Sequence, residues 1–178
     1  QALNTDFVNC WVAAGEQPWR QAGCGATVTF RGAFAQMSGQ WGYVAEAKLI
    51  DVQGDPTPMF SVDELFENIA TDPEGFVKKC DPPEFNGFSQ TIVTGTFAGF
   101  QPPPDEEETD DDEWVALTGS NDQTFYSFVG SNKYLFEGVE AGERVAVLGS
   151  FLSLRPEDLE GETLNAATNL TPFVKWSD

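Results

Sequence analysis

Three times along this chain an apolar residue, a glycine and a phenylalanine recur at two-residue spacing: Phe30-x-Gly32-x-Phe34, Val93-x-Gly95-x-Phe97 and Val147-x-Gly149-x-Phe151. Residues two apart on an extended strand share a face. The flanking apolar groups can therefore enter a core while the glycine lets the strand bend or a second layer approach. The pattern predicts a small, strongly coiled β-barrel. Chance is the competing explanation, because 15 Phe and 17 Gly in 178 residues will sometimes fall in this order.

A chain of this length holds one domain with a real core, or one domain plus an addition. Its 40% hydrophobic content argues for folding, and no apolar run approaches the roughly 18 residues that a membrane helix needs. No membrane span is expected.

Charge narrows the function classes further. Nine basic residues face 29 acidic ones, a net of −20, with no histidine. Affinity for phosphate backbones rests on Lys and Arg displacing counterions, so a nucleic-acid role is disfavoured. The run Asp105, Glu106, Glu107, Glu108, Thr109, Asp110, Asp111, Asp112, Glu113 supplies eight of the acids, and removing it still leaves 21 against 9. Acidity belongs to the whole surface, as suits salty or calcium-containing surroundings; simple solubility is the plainer explanation.

The chain begins at Gln1 without a charged-then-apolar leader, which reads as a processed, exported form; removal of a tag leaves the same ending. Cys10, Cys24 and Cys80 have no C-x-x-C spacing and no histidine companions, so zinc-ribbon and thioredoxin-type motifs are not available. In an oxidising compartment a disulfide is the expectation. Cys10 to Cys24 is favoured because its loop is short; Cys24 to Cys80 is the other choice. With the first pairing, Cys80 is expected to be buried or to pair between chains.

Along the chain, the apolar 1–23 segment is expected to dock. Residues 25–36 and 41–52 read as strands of a hairpin, closed by Gly54-Asp55-Pro56. Ser61 and Glu64 stand at capping-box positions before Leu65, Phe66 and Ile69, predicting one short helix that ends before Asp72-Pro73. Strands are expected at 90–100, 114–118, 124–129 and 144–154, with a closing strand somewhere in 163–176.

The order Phe60-Ser-Val-Asp-Glu-Leu-Phe, Asp72-Pro-Glu-Gly-Phe-Val-Lys-Lys, Thr91-Ile-Val-Thr-Gly-Thr-Phe and Gly142-Glu-Arg-Val-Ala-Val-Leu-Gly-Ser-Phe resembles the bacterial tRNA-anticodon-binding-like group of OB-fold proteins. There a short helix precedes a V-x-G-x-V/F first strand, and a G-D/E-x-V-x-V-x-G turn and strand comes late. The resemblance covers about residues 60–155 and implies an OB-like small β-barrel. It carries over no catalytic residue. The departures are the N-terminal hairpin, the proline-acidic insertion 101–113 and the scarcity of basic residues, all of which argue against nucleic acid.

The lack of histidine removes His-based triads and His metal sites. The chain contains no G-x-S-x-G, S-x-x-K or phosphate-loop motif. A carboxylate-based hydrolase is the one enzymatic alternative, and with 29 acids a suitably spaced pair is no evidence for it. Calcium takes six to eight oxygen ligands, which the run 105–113 could supply without EF-hand spacing; a solvated loop is the simpler reading of that run.

The resulting expectation is a mainly β protein with an N-terminal segment and β-hairpin extension over 1–58 and an OB-like barrel with one short helix over 59–178. Its function is expected to be non-enzymatic: an exported, extracellular or cell-surface structural or interaction protein that forms homo-oligomers or polymers. Ca2+ bridging its exterior is the one candidate cofactor. The alternative is a periplasmic or surface OB-fold module whose aromatic groove, drawn from Trp41, Tyr43, Phe125, Tyr126, Phe128, Tyr134 and Phe136, holds a small ligand or peptide; packing of the barrel core is the plainer reading of each of these aromatics.

Overall fold

The computed structural model describes residues 7–12, 21–38, 41–80, 90–101, 114–149, 151, 163–166 and 171–173. The chain is mainly β and divides between Thr57 and Pro58 into two compact units.

The first unit is a three-stranded sheet in the order β1-β3-β2, built from β1 (Phe7–Val12), β2 (Thr27–Ser38) and β3 (Trp41–Gln53). The expected hairpin is β2 and β3, paired antiparallel from Thr27↔Gln53 to Ser38↔Trp41, and β1 runs parallel to β3. Bulges interrupt the hairpin register after Thr29, Arg31 and Phe34, and Glu46 sits at a φ of 52° within the second of these irregularities. Along β2 the side chains nevertheless alternate. Val28, Phe30 and Phe34, with Val52, Leu49 and Val44 opposite them, make an apolar face; Thr27, Thr29, Arg31 and Ala33, opposite Gln53, Asp51, Lys48 and Ala45, make a polar one. The base of the hairpin is pinned where the N–H of Gly23 donates to the Asp55 carbonyl at 2.8 Å and the Thr57 hydroxyl to the Ala22 carbonyl at 3.4 Å.

The second unit begins with β4 (Met59–Ser61) and runs directly into α1 (Val62–Thr71). Ser61 caps that helix: its hydroxyl accepts from the Glu64 N–H at 3.2 Å while the Glu64 carboxylate accepts from the Ser61 N–H at 2.8 Å. Val62, Leu65, Phe66 and Ile69 are buried. A second helix, α2 (Pro73–Cys80), follows after one residue, although the sequence predicts a single short helix that ends before Asp72-Pro73. The reason is local. Asp72 ends α1 and its carboxylate accepts from the Gly75 N–H at 3.0 Å, while Pro73 takes the first position, where a missing N–H costs nothing.

Six further strands complete the unit: β5 (Thr91–Phe100), β6 (Trp114–Thr118), β7 (Thr124–Phe128), β8 (Arg144–Gly149), β9 (Thr163–Ala166) and β10 (Thr171–Phe173), with a 3-10 turn at Gly130–Phe136 before β8. The sheet path is β10-β8-β5-β6-β7-β9, with β4 parallel to β5, and it is not closed into a barrel. Its two ends come from one segment. β9 lies parallel to β7 at one edge and β10 antiparallel to β8 at the other.

Two of the three glycine-phenylalanine copies meet here. Val93 pairs with Val147, and Val93, Phe97, Val147 and Phe151 join one core with Phe60, Phe76, Phe125 and Phe136. A Cβ on Gly95 would stand 2.8 Å from Val62 Cγ2 and 3.0 Å from Leu117 Cβ, so the glycine is what lets α1 and β6 pack onto β5. The first copy differs: Phe34 is 52% exposed.

Candidate functional site

Where β4 ends and β6 begins along β5, a cleft of about 250 Å³ opens. It is lined mostly by hydroxyls and backbone, with Asp63 and Arg144 as its charged groups. Asp63 stands in the first turn of α1 and reaches the β6–β7 turn. Its carboxylate accepts from the Ser120 N–H at 2.9 and 3.0 Å, the Ser120 hydroxyl at 2.7 Å and the Asn121 N–H at 3.3 Å. A Cβ on Gly119 would collide with that carboxylate. The Ser120 N–H, then its hydroxyl, hold the Asp63 carboxyl below the usual range; they outweigh a smaller opposing desolvation, and the Asn121 N–H adds the least. A carboxylate so committed is a latch between helix and hairpin and a poor proton donor. Among the described residues that line the cleft, Asp63 is the one carboxylate, whereas glycosidase chemistry uses a pair.

The aromatic residues separate into three settings. Phe125 and Phe136 are core. On the other face of β6 and β7, Trp114 packs edge-on against Phe128 with centroids 5.3 Å apart, beside Tyr126 and Ala116. Trp114 is 6% exposed, yet among the described residues its indole Nε1 has no hydrogen-bond partner. Tyr134 is exposed, whereas the side chains of Trp41 and Tyr43 lie outside the described residues. The described aromatics thus do not form one open groove.

The acidic residues Asp105, Glu106, Glu107, Glu108, Asp110, Asp111, Asp112 and Glu113 lie outside the described residues. Among the described residues no three Cys, Asp or Glu side chains gather as a metal would require. The disulfide expectation is corrected: Cys10, Cys24 and Cys80 are thiols, and no bond joins Cys10 to Cys24. Register explains why. Cys10 lies opposite Val44, whereas Cys24 precedes Thr27, which pairs with Gln53 at the far end of β3. At about 3.3 Å per residue the two are some 25 Å apart along the sheet, far beyond disulfide reach. Burial raises the Cys10 and Cys24 thiols above their usual range. Cys80 is fully buried in the core, the first of its two expected fates. Among the described residues no helix is long and apolar enough to cross a membrane.

The feature that the sequence reading missed is the sidedness of the hairpin. Val28 (40% exposed) and Phe34 (52%) stand on its apolar face, and Ile50 (54%) is the extra residue of a β3 bulge. Alternation is the one sequence signal for it, and alternation predicts only that Phe30 and Phe34 share a face, not that a core covers that face.

Comparison of the chain with protein-family models, with curated proteins and with solved structures gives no match.

Proposed function

We propose that this chain is a non-enzymatic structural or interaction protein of the cell exterior that self-associates through its N-terminal hairpin unit. The observation that carries the reading is the exposed apolar face of β2 and β3, where Val28 and Phe34 project beside half-buried Phe30, Leu49 and Val52. Single exposed apolar residues are ordinary on a surface. A row of them along one β-ribbon is a face that a second copy would cover, each large side chain contributing about 1.5–3 kcal/mol when buried. The net charge of −20 opposes such contacts, so assembly should need salt or divalent cations, and Ca2+ on carboxylates such as those of 105–113 is the natural bridge. In the second unit, the path β8-β5-β6-β7 with one C-terminal segment at both ends, parallel to β7 and antiparallel to β8, supports an OB-type barrel.

Light scattering coupled to size exclusion tests the reading, in 150 mM salt with and without CaCl2. Mass should rise with concentration above the 19.5 kDa of one chain, and Val28→Asp with Phe34→Asp should abolish the rise. A wild-type protein that stays monomeric throughout would end the proposal.

A second reading is favoured by the Trp114 Nε1 left without a partner beside Tyr126 and Phe128: a binding module taking a small ligand or peptide on β6 and β7. Saturable tryptophan quenching by short peptides or oligosaccharides, lost in Trp114→Phe, would support it.

A further inference from the structure

We infer that two copies join edge to edge through the first half of β2, with Thr27–Arg31 pairing antiparallel to the same residues of a second copy. This rests on the self-association proposed above and deepens it by naming the strand, the register and the kind of contact. β2 is a 12-residue strand, and in the sheet order β1-β3-β2 it stands at the edge with β3 as its one neighbour among the described strands. The N–H and C=O groups of an edge strand that point away from its sheet are a template for another strand. Proteins blunt such edges with proline, lysine, inward charges or bulges. Thr27–Arg31 carries none of these: its one charge is Arg31 at the end, the extra residue Ile50 belongs to β3, and Gly32 is the first residue of β2 to drop out of register.

Charge and register select a second copy as the occupant. Acids make up 29 of the 178 residues, yet none lies between Glu16 and Glu46. This edge is therefore a strip along which two molecules of net charge −20 can approach without setting carboxylate against carboxylate. An antiparallel pair with Thr29 on its two-fold axis is also self-complementary. Val28 then lies opposite the partner's Phe30, Thr29 opposite the partner's Thr29, and Thr27 opposite the partner's Arg31. The faces match, since Val28 and Phe30 share the apolar face and Thr27, Thr29 and Arg31 the polar one. Aromatic to β-branched and Thr to Thr pairs are favourable across strands, and no like charges meet. Thr27, Val28, Thr29 and Arg31 are exposed and Phe30 is half-buried, so the strand is open to such a neighbour. The pair lays the two apolar faces side by side, with Val28 and Phe30 of each copy at the seam.

Sedimentation equilibrium of the full chain in 150 mM NaCl tests the register with four proteins: wild type, Thr27→Lys, Thr27→Glu, and Thr27→Lys combined with Arg31→Glu. On a molecule this acidic, net charge alone predicts that the added lysine helps association and the added glutamate hinders it. The register predicts the reverse, because residue 27 faces the partner's Arg31. Thr27→Lys should weaken association at least threefold, Thr27→Glu should strengthen it, and the double variant, which restores opposite charges across the seam, should return to within about twofold of wild type. Residue-resolved hydrogen exchange should show new protection on association at alternate amides of 27–31, those that point away from β3. Variants that rank by net charge, or that all associate equally, would overturn the inference while leaving self-association through the apolar face standing. Alternate amides already protected in the monomer would overturn it too, by placing a segment of the chain's own on that edge. A wild type that stays monomeric would remove both.

Discussion

Replacing Gly95 with alanine sets two physical effects against each other at one atom. In a strand, alanine normally improves on glycine, since it lowers the entropy of the unfolded chain by about 0.4–1 kcal/mol. Gly95 has no positive φ to protect, so its backbone would accept the change. Its surroundings would not. The new Cβ would stand 2.8 Å from Val62 Cγ2, 3.0 Å from Leu117 Cβ and 3.2 Å from the Thr118 carbonyl oxygen. Val62 and Leu117 are fully buried, one on α1 and one on β6, so neither can yield without moving its element. Overpacking of this kind costs about 1–3 kcal/mol, which exceeds the entropic gain. The net expectation is destabilisation of about 1–2 kcal/mol, or a few degrees in melting temperature for a chain of this size. Urea unfolding followed by tryptophan fluorescence should show a lower midpoint with unchanged slope. In a Val62→Ala background the nearest methyl is gone, and the same substitution should cost markedly less. A neutral or stabilising Gly95→Ala, or an equal cost in both backgrounds, would refute the packing argument.

Three further outcomes are expected. Asp63→Asn should weaken the link between α1 and the β6–β7 turn by about 1–2 kcal/mol, as charge-assisted hydrogen bonds become neutral ones. Because the folded-state carboxyl titrates below its unfolded value, the latch contributes above the unfolded pKa and is lost as pH falls through the folded one; acid unfolding of the variant should therefore show a shallower pH dependence below about pH 4, and an unchanged acid limb would contradict the latch. Ser127→Ala should be neutral or stabilise by up to about 1 kcal/mol, since the Ser127 hydroxyl is fully buried and has no hydrogen-bond partner among the described residues; a loss above that figure in urea unfolding would mean the hydroxyl is engaged. Alkylation of denatured, unreduced protein followed by intact-mass measurement should add three groups, one for each thiol, and a single added group would restore the disulfide.

Much of the element order was legible because local chemistry agreed with tertiary packing. The capping box at Ser61 and Glu64 and the strands expected at 41–52 and 114–118 each correspond to an element that forms. Asp72-Pro73 was legible as a stop but also meant a start, because aspartate and proline are as good at opening a helix as at ending one. The first glycine-phenylalanine copy misled for a different reason: periodicity reports which residues share a face, and burial of that face depends on a partner layer that no local pattern encodes. The Asp63 latch was illegible altogether, since its partners lie 57 and 58 residues away in sequence. The opposition of Arg31 and Lys48 was hidden too, because bulges in β3 set their register.

Self-association through the hairpin is tested most directly by amide hydrogen exchange measured across protein concentration. Protection across 27–38 and 41–53 should rise with concentration, while that of 91–100 in the second unit stays constant. Equal protection of the hairpin at all concentrations would contradict the account.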